Sequence, residues 1–224
     1  KSWADRYKVI IEYRPKHSTV DVDTATNTLK FDFNDDVKAQ VLNVIPPQRA
    51  GDIAHNAGLT TANRRWCEVD WLTMESTAAK NIHILGDALQ IAPQMPKSGH
   101  MANQHGKVAA AAIVALLSGR APNALPIYNN TCYSFVSDTD VVHVASVHRY
   151  DAEKKTMLPV AGSGGVSAAA SELEGRYGLA WARNIWADTL ALASPSHQPG
   201  APSAPFFMAR ANKMCFMGTQ LICR

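Results

Sequence analysis

The sequence predicts an α/β protein, and three stretches carry the prediction. Val41-Leu42-Asn43-Val44-Ile45 is a compact apolar run that fits a strand buried on both faces of a parallel sheet. Asn81-Ile82-His83-Ile84-Leu85-Gly86-Asp87-Ala88 reads as an apolar strand ending in Gly-Asp, with a loop leading onward to a helix. That helix, residues 101–117, is rich in alanine, which permits close packing against a sheet.

Composition bounds what such a chain does. At roughly 150 residues per domain, 224 residues make one or two domains. A hydrophobic share of 46% against 18% charged excludes wholesale disorder. A net charge of +3 is too balanced to argue for a nucleic-acid or membrane surface. The longest apolar run, residues 108–117, is half of the roughly 20 residues a spanning helix needs, so no transmembrane segment is expected. Cys67, Cys132, Cys215 and Cys223 show neither zinc spacing nor the density of a disulfide scaffold. The chain opens with Lys1 and no basic-then-apolar leader, which suggests a processed product or a fragment.

Taken in order, residues 9–11 and 20–23 read as short strands, and residues 28–33 alternate with period 2. Thr26-Asn27 suits a hairpin turn. Pro46-Pro47 stops the run at 41–45, and no earlier run supplies neighbours for a buried strand, so the start reads as the latter half of a domain. At the far end, the Pro/Ser/Ala stretch from Ser194 and the aperiodic tail beyond it are assigned no fold, and Cys215 and Cys223 are taken as incidental.

The chemistry lies in the middle. After a strand, glycine lets the backbone approach a ligand and an aspartate accepts hydrogen bonds from sugar hydroxyls. The same dipeptide also serves as an ordinary strand-to-turn corner, and Met95-Pro96-Lys97-Ser98-Gly99-His100 decides between them. Pro96 stops earlier structure, Ser98 can cap the helix, and Gly119 can end it. A helix N-terminus offers unpaired N–H groups and partial positive charge, suited to the anionic N1/O2 edge of a reduced isoalloxazine. Lys97 by itself reads first as a solvated loop lysine. His100 and His105 are five apart and cannot chelate as an i, i+4 pair, so no metal site is expected; His83 and His55 read as ordinary histidines.

Two motifs are set aside. Gly162-Ser163-Gly164-Gly165 resembles a phosphate loop, but Ser167 holds the third small-residue position, so it reads as a turn before a helix at 167–179. Asn129-Asn130-Thr131 is formally a glycosylation sequon without a compartment to support it. Cys132, in Tyr128-Asn129-Asn130-Thr131-Cys132-Tyr133-Ser134, is a small buried hydrophobe unless a partner thiol or redox cofactor stands beside it. Within the organised region Cys67 is the other cysteine.

These segments, with Leu42-Asn43-Val44-Ile45-Pro46-Pro47-Gln48, Trp66-Cys67-Glu68-Val69-Asp70 and residues 181–188, resemble the C-terminal part of the flavoprotein subunit of flavocytochrome c sulfide dehydrogenase. The Met-Pro-Lys-Ser and Asn-Thr-Cys-Tyr-Ser combination is the specific part of the likeness. The family is grouped with sulfide:quinone reductases among two-dinucleotide-binding-domain flavoproteins of the disulfide-reductase type. The resemblance implies FAD as cofactor, with Gly86 and Asp87 as the second FAD motif and Lys97, Ser98 and Gly99 near the flavin ring. It makes Cys132 one half of a redox-active disulfide, sulfide the substrate, a cytochrome c haem subunit the electron acceptor, and the periplasm the location.

The family's partner cysteine and its Gly-x-Gly-x-x-Gly turn have no counterpart in this sequence. Cys67 matches another family position and is not the resolving thiol. The implied organisation is a pyridine-nucleotide-like segment (1–60), the second segment of the FAD domain (61–120), an α+β C-terminal domain with antiparallel strands (121–193) and the tail (194–224). In the third part, residues 141–147 and 156–160 would form a hairpin and residues 177–186 a helix. A quinone-reducing relative and a non-catalytic remnant are the alternatives.

Overall fold

The structure, a computed structural model, describes residues 18–190. The strand expected at 9–11 and the tail from 194, with Cys215 and Cys223, lie outside the described residues. The chain divides into two units between Gln48 and Arg49.

In the first unit, β1 (Thr19–Asp23), β2 (Thr28–Phe31) and β3 (Val37–Lys38) form an antiparallel sheet in sequence order. The turn works as the composition suggests. The Asp23 carboxylate accepts from the backbone N–H groups of Ala25 and Thr26 and from the Thr26 hydroxyl, and Asn27 takes the left-handed φ of 54°. Period-2 alternation buries Leu29 and Phe31, while the strand stops short of Phe33, which is exposed. The parallel strand expected at Val41–Ile45 is not formed. Those residues pair with nothing regular, and Val41 is 75% exposed. Pro46 and Pro47 offer no N–H to continue a ladder, and an apolar run by itself does not distinguish a strand from an extended loop.

The second unit opens on α1 (Asp52–Asn56) and then runs through residues 57–98 with little regular structure. Left-handed Asn63, Arg64, Met74, Asn81 and Gln94 turn the chain repeatedly, so pairing is cut into single bridges: Cys67 with Leu89, Val69 with Ser76, Glu75 with His83. The strand expected at 81–85 is therefore one bridge and an Ile84 N–H bond to the Met74 carbonyl, followed by a 3-10 turn at Gly86–Ala88. Its apolar residues still reach the core, where Ile84, Leu89, Met95 and Met101 pack with Cys67, Trp71, Met74 and Tyr128.

The helix expected at 101–117 is α2 (Gly99–Leu117), capped by Ser98 and ended by left-handed Gly119. A long hairpin follows: β4 (Ile127–Phe135) pairs antiparallel with β5 (Val141–Asp151) from Ile127↔Arg149 to Phe135↔Val141. Strands β6 (Thr156–Pro159) and β7 (Gly165–Val166) pair with opposite stretches of β5; the β6 hairpin is made by His148–Asp151, whereas residues 141–147, expected to form it, pair with β4. The final helix, α3 (Glu172–Leu190), starts five residues later than expected. Gly165 and Val166 are still in the sheet, and the Ser167 hydroxyl is tied to the backbone of His143 and to Glu174. Helix α3 lies close on the hairpin through glycine. A Cβ at Gly175 would stand 2.0 Å from the Thr139 carbonyl oxygen, and one at Gly178 3.4 Å from the Tyr133 ring.

Candidate functional site

The Gly-Asp turn is fitted against α2. Gly86 has φ +71°, and a Cβ there would meet Ala102 of α2 at 3.4 Å. Its N–H donates to Nδ1 of His105, one helical turn further along. The conformation is the one that favours glycine, and a Cβ there would make ordinary contact with α2. Asp87 follows on the exposed side of the turn.

Lys97 is neither a free surface lysine nor fully available to a ligand. Its ammonium donates to the carbonyls of Asp87 and Leu89, both at 2.6 Å, and stands 3.6 Å above the Trp66 ring. Partial burial pulls its pKa below the ordinary lysine value, while the neighbouring Asp87 opposes that shift. Two of the three ammonium N–H bonds are thus committed to the backbone that shapes the Gly-Asp turn.

Ser98 takes the cap position in extended geometry, and its oxygen accepts the Met101 N–H at 3.1 Å. Its hydroxyl donates to Oδ1 of Asn130 on β4 at 2.6 Å, and the Asn130 amide donates to Sγ of Cys132 at 3.7 Å. Strand alternation places Asn130 and Cys132 on one face of β4, both nearly fully buried. Gly99 is exposed, with open space where a Cβ would lie. Two sequence-predicted residues, Ser98 and Cys132, are therefore joined through Asn130, and Asp87 and Lys97 are joined beside the 3-10 turn.

Sequence reasoning passed over Asn130, His105 and Trp66. Asn130 enters the sequence only as part of a sequon and of the family-like stretch around Cys132, with no role of its own, yet its i, i+2 relation to Cys132 is the available signal once the segment is a strand. His105 gave none: nothing in the sequence tells a buried acceptor from an ordinary histidine. The sequon itself lies in the sheet, with Oδ1 of Asn129 buried. Gly164 serves close strand contact, since a Cβ there would stand 2.2 Å from the Ala145 carbonyl.

Cys67 is fully buried, and that burial raises its pKa. Its backbone accepts from Gln90 and donates to Ala88, so it braces the stretch after the turn. Cys67 and Cys132 are not joined to each other by a disulfide. Among the described residues no cluster of His, Cys, Asp or Glu could hold a metal, and no helix is long and apolar enough to cross a membrane.

The donor set fits a flavin. A turn held in the left-handed conformation by glycine precedes a carboxylate suited to sugar hydroxyls. Nearby, the first turn of a 19-residue helix carries N–H groups without intrahelical partners beside a lysine. Gly86, Asp87, Lys97, Ser98 and Gly99 are the residues that would hold it. Helices and antiparallel sheets surround this set, a mixed α/β arrangement.

Two family models match the chain. One, described as flavocytochrome c sulphide dehydrogenase, flavin-binding, covers residues 124–190. The other, described as sulfide dehydrogenase (flavocytochrome c) flavoprotein chain, central, covers residues 1–46. Together they span about half of the sequence, and the chain belongs to the flavoprotein family of flavocytochrome c sulphide dehydrogenase. Its cofactor is a flavin, FAD. The flavin-binding match contains Asn130 and Cys132, whereas residues 86–99 fall between the two matched stretches.

Proposed function

We propose that these residues form part of an FAD-dependent oxidoreductase that oxidises sulfide through a redox-active cysteine pair and delivers the electrons to a cytochrome c partner. Cys132 is one half of the pair, and the family's partner cysteine has no counterpart in this sequence. Membership of the flavoprotein family supports the sulfide dehydrogenase reading. The observation that carries the thiol role is the connection of Cys132, through Asn130, to Ser98 at the start of α2. It brings the sulfur and the proposed flavin-holding helix into one hydrogen-bonded arrangement.

In this reading Gly86 and Asp87 hold the sugar-like chain of the cofactor, and Lys97, Ser98 and Gly99 sit by its ring. Hydrosulfide attacks the disulfide, one S–S bond breaks, a new one forms to the sulfide sulfur, and the displaced cysteine leaves as thiolate. Bound flavin supplies acceptance of an electron pair and its release one electron at a time. Cytochrome c haem takes those electrons, and the periplasm is the proposed compartment.

The test is anaerobic sulfide titration of the FAD-loaded protein, made with the family's first dinucleotide-binding segment supplied upstream. Sulfide should bleach the flavin absorbance, and Cys132→Ser should abolish the bleaching. Bleaching that survives Cys132→Ser would remove the cysteine from the reaction.

A further inference from the structure

We infer that Asn130 is a positioning residue that stabilises Cys132 as a thiolate, with the Ser98 hydroxyl fixing which way the Asn130 amide points. The inference rests on the thiol role proposed above and adds to it the residue that sets the charge on the sulfur.

The sulfur lies on a strand face with 2% exposure, so water cannot solvate a negative charge there. A thiolate in that position needs a donor from the protein. Directly across the β4–β5 ladder stands Val144, which offers none. Asn130, two residues earlier on the same face, supplies an amide N–H at 3.7 Å.

An asparagine side chain is ambiguous by itself, because its oxygen and its nitrogen can exchange places. Ser98 removes the ambiguity in the donating sense. Its oxygen already accepts the Met101 N–H, and its own proton points to Oδ1 of Asn130 at 2.6 Å. With Oδ1 occupied as an acceptor, Nδ2 is the end left facing the sulfur. The order of donation therefore runs from the first turn of α2 to Ser98, to Asn130, to Cys132, and each bond polarises the next. Its direction carries the partial positive charge of the helix start toward the sulfur, the sense that favours thiolate over thiol.

A merely structural Asn130, holding β4 to the cap of α2, would leave the ionisation of Cys132 where it is. The two roles separate in a site-resolved titration of the reduced 224-residue chain. The probe is the 13Cβ resonance of Cys132, assigned by its loss in Cys132→Ser. Asn130→Ala should move the ionisation midpoint of Cys132 upward by about one pH unit, a tenfold loss of thiolate at a given pH.

Ser98→Ala should move it in the same direction by less. Ser98→Thr, which keeps the hydroxyl, should restore the wild-type midpoint and so separates loss of the hydroxyl from damage at the cap. An unchanged or lowered midpoint in Asn130→Ala, with the circular dichroism of the wild type, would overturn the inference. That result would leave the thiol role intact, because sulfide bleaching and its loss in Cys132→Ser are read independently of Asn130.

Discussion

The backbone N–H of Gly86 donates to Nδ1 of His105 across 3.2 Å, tying the Gly-Asp turn to the second turn of α2. Because Nδ1 accepts, the ring proton sits on Nε2 and the imidazole is neutral. Burial pushes its pKa from 6.5 to about 4, with the positive charge of Lys97 adding to the shift. A neutral ring is what the turn requires, since imidazolium has no lone pair left to accept the Gly86 N–H.

A pH-dependent stability follows from that pair. The folded state holds His105 less basic than the unfolded chain does, so its contribution is fully present above about pH 6.5 and is lost as pH falls through about 4. The shift corresponds to about 3 kcal/mol at most. Urea unfolding of wild type and His105→Phe, compared between pH 7 and pH 4.5, should show the wild type losing stability faster. Parallel losses would mean that His105 carries no such linkage.

Lys97 gives a second prediction. Its ammonium bridges two carbonyls beside the Gly-Asp turn and covers the Trp66 ring, an arrangement that couples the three segments. Lys97→Met should destabilise the fold by about 1.5–3 kcal/mol, the range for hydrogen bonds to a charged group. A double-mutant cycle with Trp66→Leu should return a coupling of about 0.5–1 kcal/mol. Additive losses in the urea midpoints would show that the ring and the ammonium are neighbours without interaction.

Much of this was legible in the sequence because local chemistry decides it. Ser98 and Gly119 mark the ends of α2, Thr26-Asn27 marks the first turn, and alternation writes out β2. What escaped depends on partners far along the chain. Residues 41–45 look like a buried strand only if a sheet receives them, and residues 81–85 only if the turns at Met74 and Asn81 did not break the pairing. The site divides in the same way. Gly86, Asp87 and Ser98 announce themselves by type and position, whereas Asn130 and His105 act through contacts 32 and 19 residues distant.

Two helix glycines should respond oppositely to alanine. Gly106 in α2 has open space where a Cβ would go, and removing a glycine from a helix interior stabilises by about 1 kcal/mol. Gly175 in α3 is packed under the Thr139 carbonyl, where a Cβ at 2.0 Å forces backbone to move. The helix-propensity gain is then outweighed, and Gly175→Ala should lose about 1–3 kcal/mol net. Thermal unfolding of both variants checks the contrast, and a stabilised Gly175→Ala would show that α3 is free to shift on the hairpin.

Helices α2 and α3 are also joined by charge. Asp188 of α3 accepts from Asn103 and pairs with Lys107, both at 2.9 Å and both on α2. Partial burial pushes the Asp188 carboxyl up, but the hydrogen bonds from Asn103 and Lys107 and the lysine charge outweigh it and leave the pKa below its ordinary 3.8. The folded state therefore favours the ionised form, and the contribution is present above about pH 4 and lost as pH falls below it.

Both charged groups are substantially exposed, so solvent screening limits the contribution to under about 1 kcal/mol. Asp188→Asn should lower stability by that amount at pH 7, and the difference from wild type should narrow between pH 5 and pH 3. It should also shrink in 1 M salt, where the Debye length is about 3 Å. A difference that holds constant across both series would assign the effect to the Asn103 hydrogen bond, with no share for the Lys107 charge.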